Sequence, residues 1–321
     1  MTSLPAVPCA VFFDTNSYRG FVTGKTPTQV VQDTNNLRVK EAAKDIKQFG
    51  VMIVAIEMLA NLAAGSSSFG YNDCLNGVIA MARHCWDDAN SEPRMVPPPY
   101  LHIAHSFFSS RIPSEEQKVL EVGGVLRDFV YDPIGAETHH ATASTYANVK
   151  TYVDGEEASF SSLLTSLISG LEAHVKATNP KADAKTRRNI LLQFIDKGSF
   201  EPMIAETLIT EIAQRLKLAL PQPEITSRAA ALNQEFPVAS GFFKWVCYQI
   251  VANNINMNSK KSVKSRWNWL WDYQVSFMLS NHTIDNRHVL LVTSDGDMTK
   301  MLNDLGFGHN VLTLEQYLNL L

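Results

Sequence analysis

Cysteine is scarce and scattered: Cys9, Cys74, Cys85 and Cys247 are the only four in 321 residues, and no two form a Cys-x-x-Cys pair. Neither a disulfide scaffold nor a thiolate zinc site is expected, and a reducing cytoplasm suits such a chain. The N-terminal stretch lacks the basic start, apolar segment and small-residue cleavage site of a secretory leader. Long hydrophobic runs are missing as well. The most apolar stretch, Val51 to Ala64, is interrupted by Glu57 and Asn61, and it falls short of the about 20 apolar residues that a membrane span needs. Charge of one sign is not in excess either. With 28 Lys and Arg against 32 Asp and Glu, any basic surface for nucleic acid must be local.

Several signatures are also absent. No Gly-x-x-x-x-Gly-Lys-Ser/Thr loop, Gly-x-Gly-x-x-Gly turn or Gly-x-Ser-x-Gly elbow occurs, which removes support from nucleotide-driven motors and serine hydrolases. His102 with His105, His139 with His140, and His84 beside Cys85 have no second pair at zinc spacing, so core or surface positions account for them. There is no internal repeat and no low-complexity tail.

What is present is a chain whose hydrophobic content of 45% can bury a sizeable core. Near the start, Ala10-Val11-Phe12-Phe13 is a short apolar run that opens into Asp14-Thr15-Asn16-Ser17, as a buried strand entering a polar turn does. Val31, Leu37, Ala42, Ile46 and Phe49 are spaced for one or two amphipathic helices that Gly50 ends. Val51 to Val54 reads as a second buried strand, and Ala55 to Ala64 as a helix on which Glu57 and Asn61 share a face. At the far end, His288 to Val292 repeats the strand pattern and opens into Thr293-Ser294-Asp295-Gly296-Asp297, followed by a helix from Met298 to Leu305. Asn310-Val311-Leu312 and a short helix capped by Thr313 complete the series.

Four strands alternating with helices predict an α/β fold, with a mostly parallel central sheet and flanking helices. Residues 66–265 differ, because their apolar residues recur at helical spacing, as in Phe160 to Val175 and Ile204 to Leu220. The expected organisation is a discontinuous core of residues 1–65 and 266–321, carrying a large, mainly helical insertion that serves as lid, substrate groove or partner surface.

In an open parallel sheet, ligands bind beyond the C-terminal ends of the strands. Asp14, Asp295 and Asp297 therefore converge there if their strands are neighbours, and Glu57 and Asp272, expected near helix starts, can complete the ring. Carboxylates gathered in this way repel one another unless a cation neutralises them. Hard oxygen donors of this type suit Mg²⁺ or Mn²⁺.

Phe13-Asp14-Thr15-Asn16, Trp271-Asp272-Tyr273-Gln274 and Val292-Thr293-Ser294-Asp295 together resemble the PIN-domain nuclease family, over residues 10–64 and 266–321. That family pairs an Asp-Thr-Asn-like first strand with a Thr-x-Asp-like last one, and an Asp opens the helix between. The resemblance implies that Asp14, Asp272 and Asp295 bind metal, that Glu57 fills the helical acidic position, and that Asp297 is an extra ligand. Thr15, Asn16 and Thr293 would hold the carboxylates by hydrogen bonds. It further implies hydrolysis of RNA leaving a 5′-phosphate; endonucleolytic action on single-stranded RNA is the leading expectation, and whether an inhibitory or regulatory protein partner restrains it stays open. Two departures stand out: Asn61-Leu62 is an alternative register for the family's Glu-Leu pair, and the gap between Glu57 and Asp272 far exceeds that of small members.

Lys260, Lys261, Lys264 and Arg266 adjoin Trp267, Trp269 and Trp271. Cations beside aromatic faces suit phosphates and unpaired bases, and a solvated linker ahead of an aromatic core helix explains the same segment. Lys181, Lys185, Arg187 and Arg188 form a second, fainter basic run. Two rivals keep the fold: an inactive nucleic-acid-binding or assembly module, and a DNA-directed nuclease of the flap-processing type. A phosphatase with an aspartyl nucleophile wants an Asp where Asn16 stands.

Overall fold

Five consecutive buried residues at the start of the chain form β1 (Cys9–Phe13). In this computed structural model the described residues are 7–257, 259, 263–281 and 283–321, with the side chains of 263–267 excepted. A strand without an exposed face requires cover on both sides. Part of that cover comes from α1 (Thr15–Val22), whose Tyr18 packs on Phe13, and α2 (Pro27–Ala42) follows it. The start of α2 is locally determined, since Thr26 and Gln29 cap one another reciprocally and Pro27 takes the first helical position. After it come β2 (Ile46–Gln48), β3 (Gly50–Val51), α3 (Met52–Leu62) and α4 (Tyr71–His84). A hairpin of β4 (Trp86–Asp87) and β5 (Glu92–Pro93) precedes β6 (Met95–Val96), which pairs parallel with β3.

Helices then dominate: α5 (Pro99–Phe108), α6 (Pro113–Tyr131), α7 (Pro133–Thr142), α8 (Thr145–Thr178), α9 (Ala184–Asp196), α10 (Phe200–Arg215), α11 (Gln222–Glu235), α12 (Pro237–Ala252) and α13 (Val263–Ser276). Proline opens α5, α6, α7 and α12, where its missing N–H costs no helical bond. The chain closes with β7 (His288–Val292), α14 (Gly296–Asp304), β8 (Val311–Leu312) and α15 (Leu314–Leu320).

The main sheet has the order β2-β1-β7-β8, and all its neighbours are parallel. The chain builds outward from β1 to β2 and later adds β7 on the opposite side of β1, so the strand order reverses between β1 and β7. Phe13 lies opposite Val292 in that register. The fold is thus α/β, with a parallel four-stranded sheet flanked by helices.

Three expectations require correction. Val51 to Val54 is not the second strand of this sheet: β2 fills that place, and Met52 already begins α3. Every α3 residue except Glu57 and Asn61 is buried, and a helix buried nearly all round carries the same apolar run as an inner strand. The preceding helix ends at Ala42 rather than Phe49, because the chain turns through Asp45 at a φ of 53°. Glu57 consequently sits in the middle of α3, not at its start.

The chain divides into two compact units, Met1–Val153 with His282–Leu321, and Asp154–Asn281. The helices α4 to α7 belong to the first unit, so the expected boundary at residue 65 does not coincide with the division. In the first unit the Phe13 ring packs on His84, Tyr18 and Tyr317 with centroids 4.8, 5.2 and 5.4 Å away. The second unit closes on aromatic side chains, including Phe236 stacked on Phe277 at 4.8 Å and Trp271, whose indole N–H donates to Glu157 at 3.1 Å. All four cysteines are free and buried. Among the described residues no helix is long and apolar enough to cross a membrane.

Candidate functional site

The ends of β1 and β7 carry the site. Beyond Phe13, the Asp14 N–H donates to the Val292 carbonyl at 3.1 Å, extending the strand pairing by one residue. Backbone pairing therefore holds Asp14 at the sheet edge before its side chain makes any contact. Its carboxylate then caps α1, with Oδ1 accepting from the Ser17 N–H at 2.6 Å. The Ser17 hydroxyl donates to the Val292 carbonyl at 2.9 Å and ties α1 to β7. Sequence reasoning passed over Ser17, although the third residue after a capping aspartate is where a bonded N–H is expected.

On β7's side, Thr293 donates its hydroxyl to Asp14 Oδ2 at 2.6 Å and accepts from the Asp295 N–H at 3.0 Å. One hydroxyl thus joins the two acidic segments. Asp295 in turn caps α14, where Oδ1 accepts from the Met298 N–H at 2.7 Å. Two helix N-termini, of α1 and α14, thereby meet carboxylates at one sheet edge, and at Asp14 the partial positive charge of α1 favours the ionised form. Burial works against that for Asp14, which is 4% exposed. Its pKa is raised, chiefly by desolvation; the Ser17 and Thr293 hydrogen bonds pull it down, and the negative charge of Asp295 pushes it up.

Glu57 joins through Thr15, whose hydroxyl donates to the Glu57 carboxylate. Thr15 directly follows Asp14 and is the first residue of α1, so one turn of chain connects the sheet edge to the middle of α3. Asp14, Thr15, Glu57, Thr293 and Asp295 are in this way brought into one hydrogen-bonded and electrostatic assembly.

The remaining expected residues are placed as follows. Asn16 is exposed at the second position of α1, and the bonds to Asp14 come from Ser17 and Thr293 instead. Asp297 is exposed in the first turn of α14, a place that suits the helix dipole by itself. Asp272 is half-buried in the second unit, on the C-terminal half of α13 rather than at its opening, since that helix begins at Val263. Lys260 and Lys261 lie outside the described residues, and so do the side chains of Lys264 and Arg266. Among the described residues, no group of three or more His, Cys, Asp or Glu side chains forms a ready-made metal shell.

The donor chemistry nevertheless fits a hard cation. Each carboxylate oxygen has two acceptor positions. The bonds from Ser17 and Thr293 use one on each oxygen of Asp14, and the bond from Met298 uses one on Asp295. Acceptor capacity remains on both acids, and it belongs to the oxygen-donor class that binds Mg²⁺ and Mn²⁺.

His84 belongs to a different system. Its Nε2 lies 2.9 Å from Glu41 Oε1 and its Nδ1 lies 3.0 Å from the Tyr18 hydroxyl. Glu41 also accepts from Tyr317 at 2.6 Å and from Gln48 at 2.8 Å. This buried polar network lies beneath the Phe13 ring and shapes the core of the first unit.

No family model, no curated protein and no solved structure matches the chain.

Proposed function

We propose that this protein is a metal-dependent ribonuclease that hydrolyses phosphodiester bonds of single-stranded RNA. The observation carrying this reading is the Thr293 hydroxyl, which binds Asp14 and the Asp295 backbone where the parallel strands β1 and β7 end side by side. Asp14 and Asp295 are the residues that would hold Mg²⁺ or Mn²⁺, with Glu57 contributing from α3. The chemistry such an ion supplies is activation of water near neutral pH and neutralisation of charge on the attacking and leaving oxygens. Thr293 and Thr15 fix the direction of the Asp14 and Glu57 carboxylates. The caps on α1 and α14 keep both aspartates from rotating away, which is the preorganisation that electrostatic catalysis needs. Asp272 and the cations Lys260, Lys261, Lys264 and Arg266 enter the proposal as a further acid and as contacts to the RNA backbone.

A second reading has its own support: Asp14 and Asp295 are helix caps, and capping alone explains an aspartate at each position. On that reading the protein is a binding or assembly module on the same scaffold. Cleavage of labelled single-stranded RNA and DNA in Mn²⁺, Mg²⁺ or chelator separates the two, with Asp14→Asn and Asp295→Asn run in parallel. Metal-dependent RNA cleavage lost in both variants supports the nuclease. RNA bound by the wild type but left intact in every metal supports the module, and cleavage of DNA alone moves the assignment to a DNA-directed enzyme.

A further inference from the structure

The second unit contains a cleft of 540 Å³ that the site at the sheet edge does not use. Helical spacing creates it. On α9, Ala184, Arg187, Arg188 and Leu191 recur at intervals of three and four residues and line one wall together. Ile168, Glu172, Val175 and Lys176 do the same on α8, and Ile250 and Val251 come from the end of α12. The floor is aliphatic, and the rim carries Lys176, Lys185, Arg187 and Arg188 against the single carboxylate of Glu172.

Four cations facing one acid repel each other, and a bound anion relieves that repulsion. Neither Lys176 nor Lys185 forms an ion pair with a described residue. Arg187 shares its field with Asp183, the cap of α9. Arg188 donates to the Ala252 carbonyl at the end of α12, so its guanidinium is ordered before any ligand arrives. The volume lies within the roughly 300–1000 Å³ of small-molecule clefts. Among the described residues no aromatic side chain lines it, so these offer no stacking platform of the kind on which single strands are held.

We propose that this cleft binds a nucleoside diphosphate, with the phosphates on the Lys176, Lys185, Arg187 and Arg188 rim and the nucleoside on the aliphatic floor. The rim stays net positive with Glu172 and Asp183 counted against its four cations, which suits the negative phosphates of such a ligand near neutral pH. The site stands independently of the nuclease reading, because it shares no residue with the sheet edge.

Titration calorimetry on the full chain tests it, with ADP, inorganic pyrophosphate and an RNA 12-mer lacking terminal phosphates as probes. The expected result is saturable ADP binding, at least tenfold tighter than pyrophosphate. Arg187→Glu and Lys185→Glu should each weaken it tenfold or more while the circular-dichroism melt is unchanged, and Asp14→Asn should bind ADP as the wild type does. Absence of ADP binding overturns the proposal, as does indifference to both rim variants. Equal affinity for pyrophosphate and ADP removes the nucleoside from the floor and overturns it as well. Tighter binding of the RNA through the same residues reassigns the cleft to nucleic acid.

Discussion

Thr293 donates its hydroxyl to Asp14 Oδ2 at 2.6 Å, joining residues 279 positions apart in the chain. Both groups are buried. Removing the hydroxyl while keeping the shape, as in Thr293→Val, leaves a buried carboxylate with one donor fewer. A loss of about 1–3 kcal/mol in urea unfolding is expected. The same change further disfavours ionised Asp14, so the acid limb of any activity moves to higher pH. Thr293→Ser restores both properties, and a normal acid limb in Thr293→Val would show that the bond does not govern Asp14.

Asp14 itself sets up a pH-dependent prediction. Burial raises its folded pKa above the unfolded value. A carboxyl group shifted in this direction contributes stability that is fully present below the unfolded pKa and is lost as the pH rises through the folded pKa. Asp14→Asn, which keeps a good helix cap, should therefore melt higher than the wild type at neutral pH without metal, and the difference should close in acid. Adding Mn²⁺ reverses the order: at a hundred times its dissociation constant it stabilises the wild type by about 2.7 kcal/mol and leaves Asp14→Asn unmoved. Equal Mn²⁺ shifts in both proteins would take Asp14 out of the metal site.

The elements that were legible in advance are those whose chemistry is local. β1 and β7 are short apolar runs ending in polar turns, and Thr313 with Gln316 forms the expected capping box. The pairing of Asp14 with Thr293 follows from those two strands being neighbours. β2 was hidden because Ile46-Lys47-Gln48 has a single strongly apolar residue, and its place in the sheet is fixed by pairing with β1. The first turn of α3 reads as part of a strand because Ile53 and Val54 favour strands, while burial nearly all round overrides that preference. Asp272 falls in the second unit on the C-terminal half of α13, and a sequence motif does not state which unit a helix joins.

Glu41 was invisible for another reason: a single glutamate in a charged helix reads as solvated. In the fold it is fully buried and accepts hydrogen bonds from Tyr317, His84 and Gln48, linking α2 to β2, α4 and α15. Its charge helps to hold the Tyr317 hydroxyl far above its ordinary pKa, after the larger effect of burial. Glu41→Ala strands several buried donors at once and should cost about 3–5 kcal/mol. Hydrogen exchange should then accelerate first in α15, whose buried anchor is Tyr317. Tyr317→Phe, losing one partner, should cost about 1–3 kcal/mol. If Glu41→Ala unfolds at the wild-type urea concentration, the network is not a stabilising one.

The Thr15–Glu57 bond decides whether α3 belongs to the site or merely covers the sheet. The Thr15 hydroxyl is fixed by its place directly after Asp14, and Glu57 reaches it from the middle of an otherwise apolar stretch of helix. Thr15→Val and Glu57→Gln each remove one end, and the double variant removes both. If the contact is energetically real, the cycle shows a stability coupling of about 0.5–3 kcal/mol. A supporting residue and a ligand then separate by their response to metal. Thr15→Val should keep the Mn²⁺ shift in melting temperature at reduced size, because Glu57 retains its charge and loses only its orientation. Glu57→Gln should lower Mn²⁺ affinity at least tenfold, because a neutral amide cannot offset the cation. An unchanged Mn²⁺ affinity in Glu57→Gln would confine the metal site to Asp14 and Asp295 and leave Glu57 as a half-buried anchor of α1 on α3.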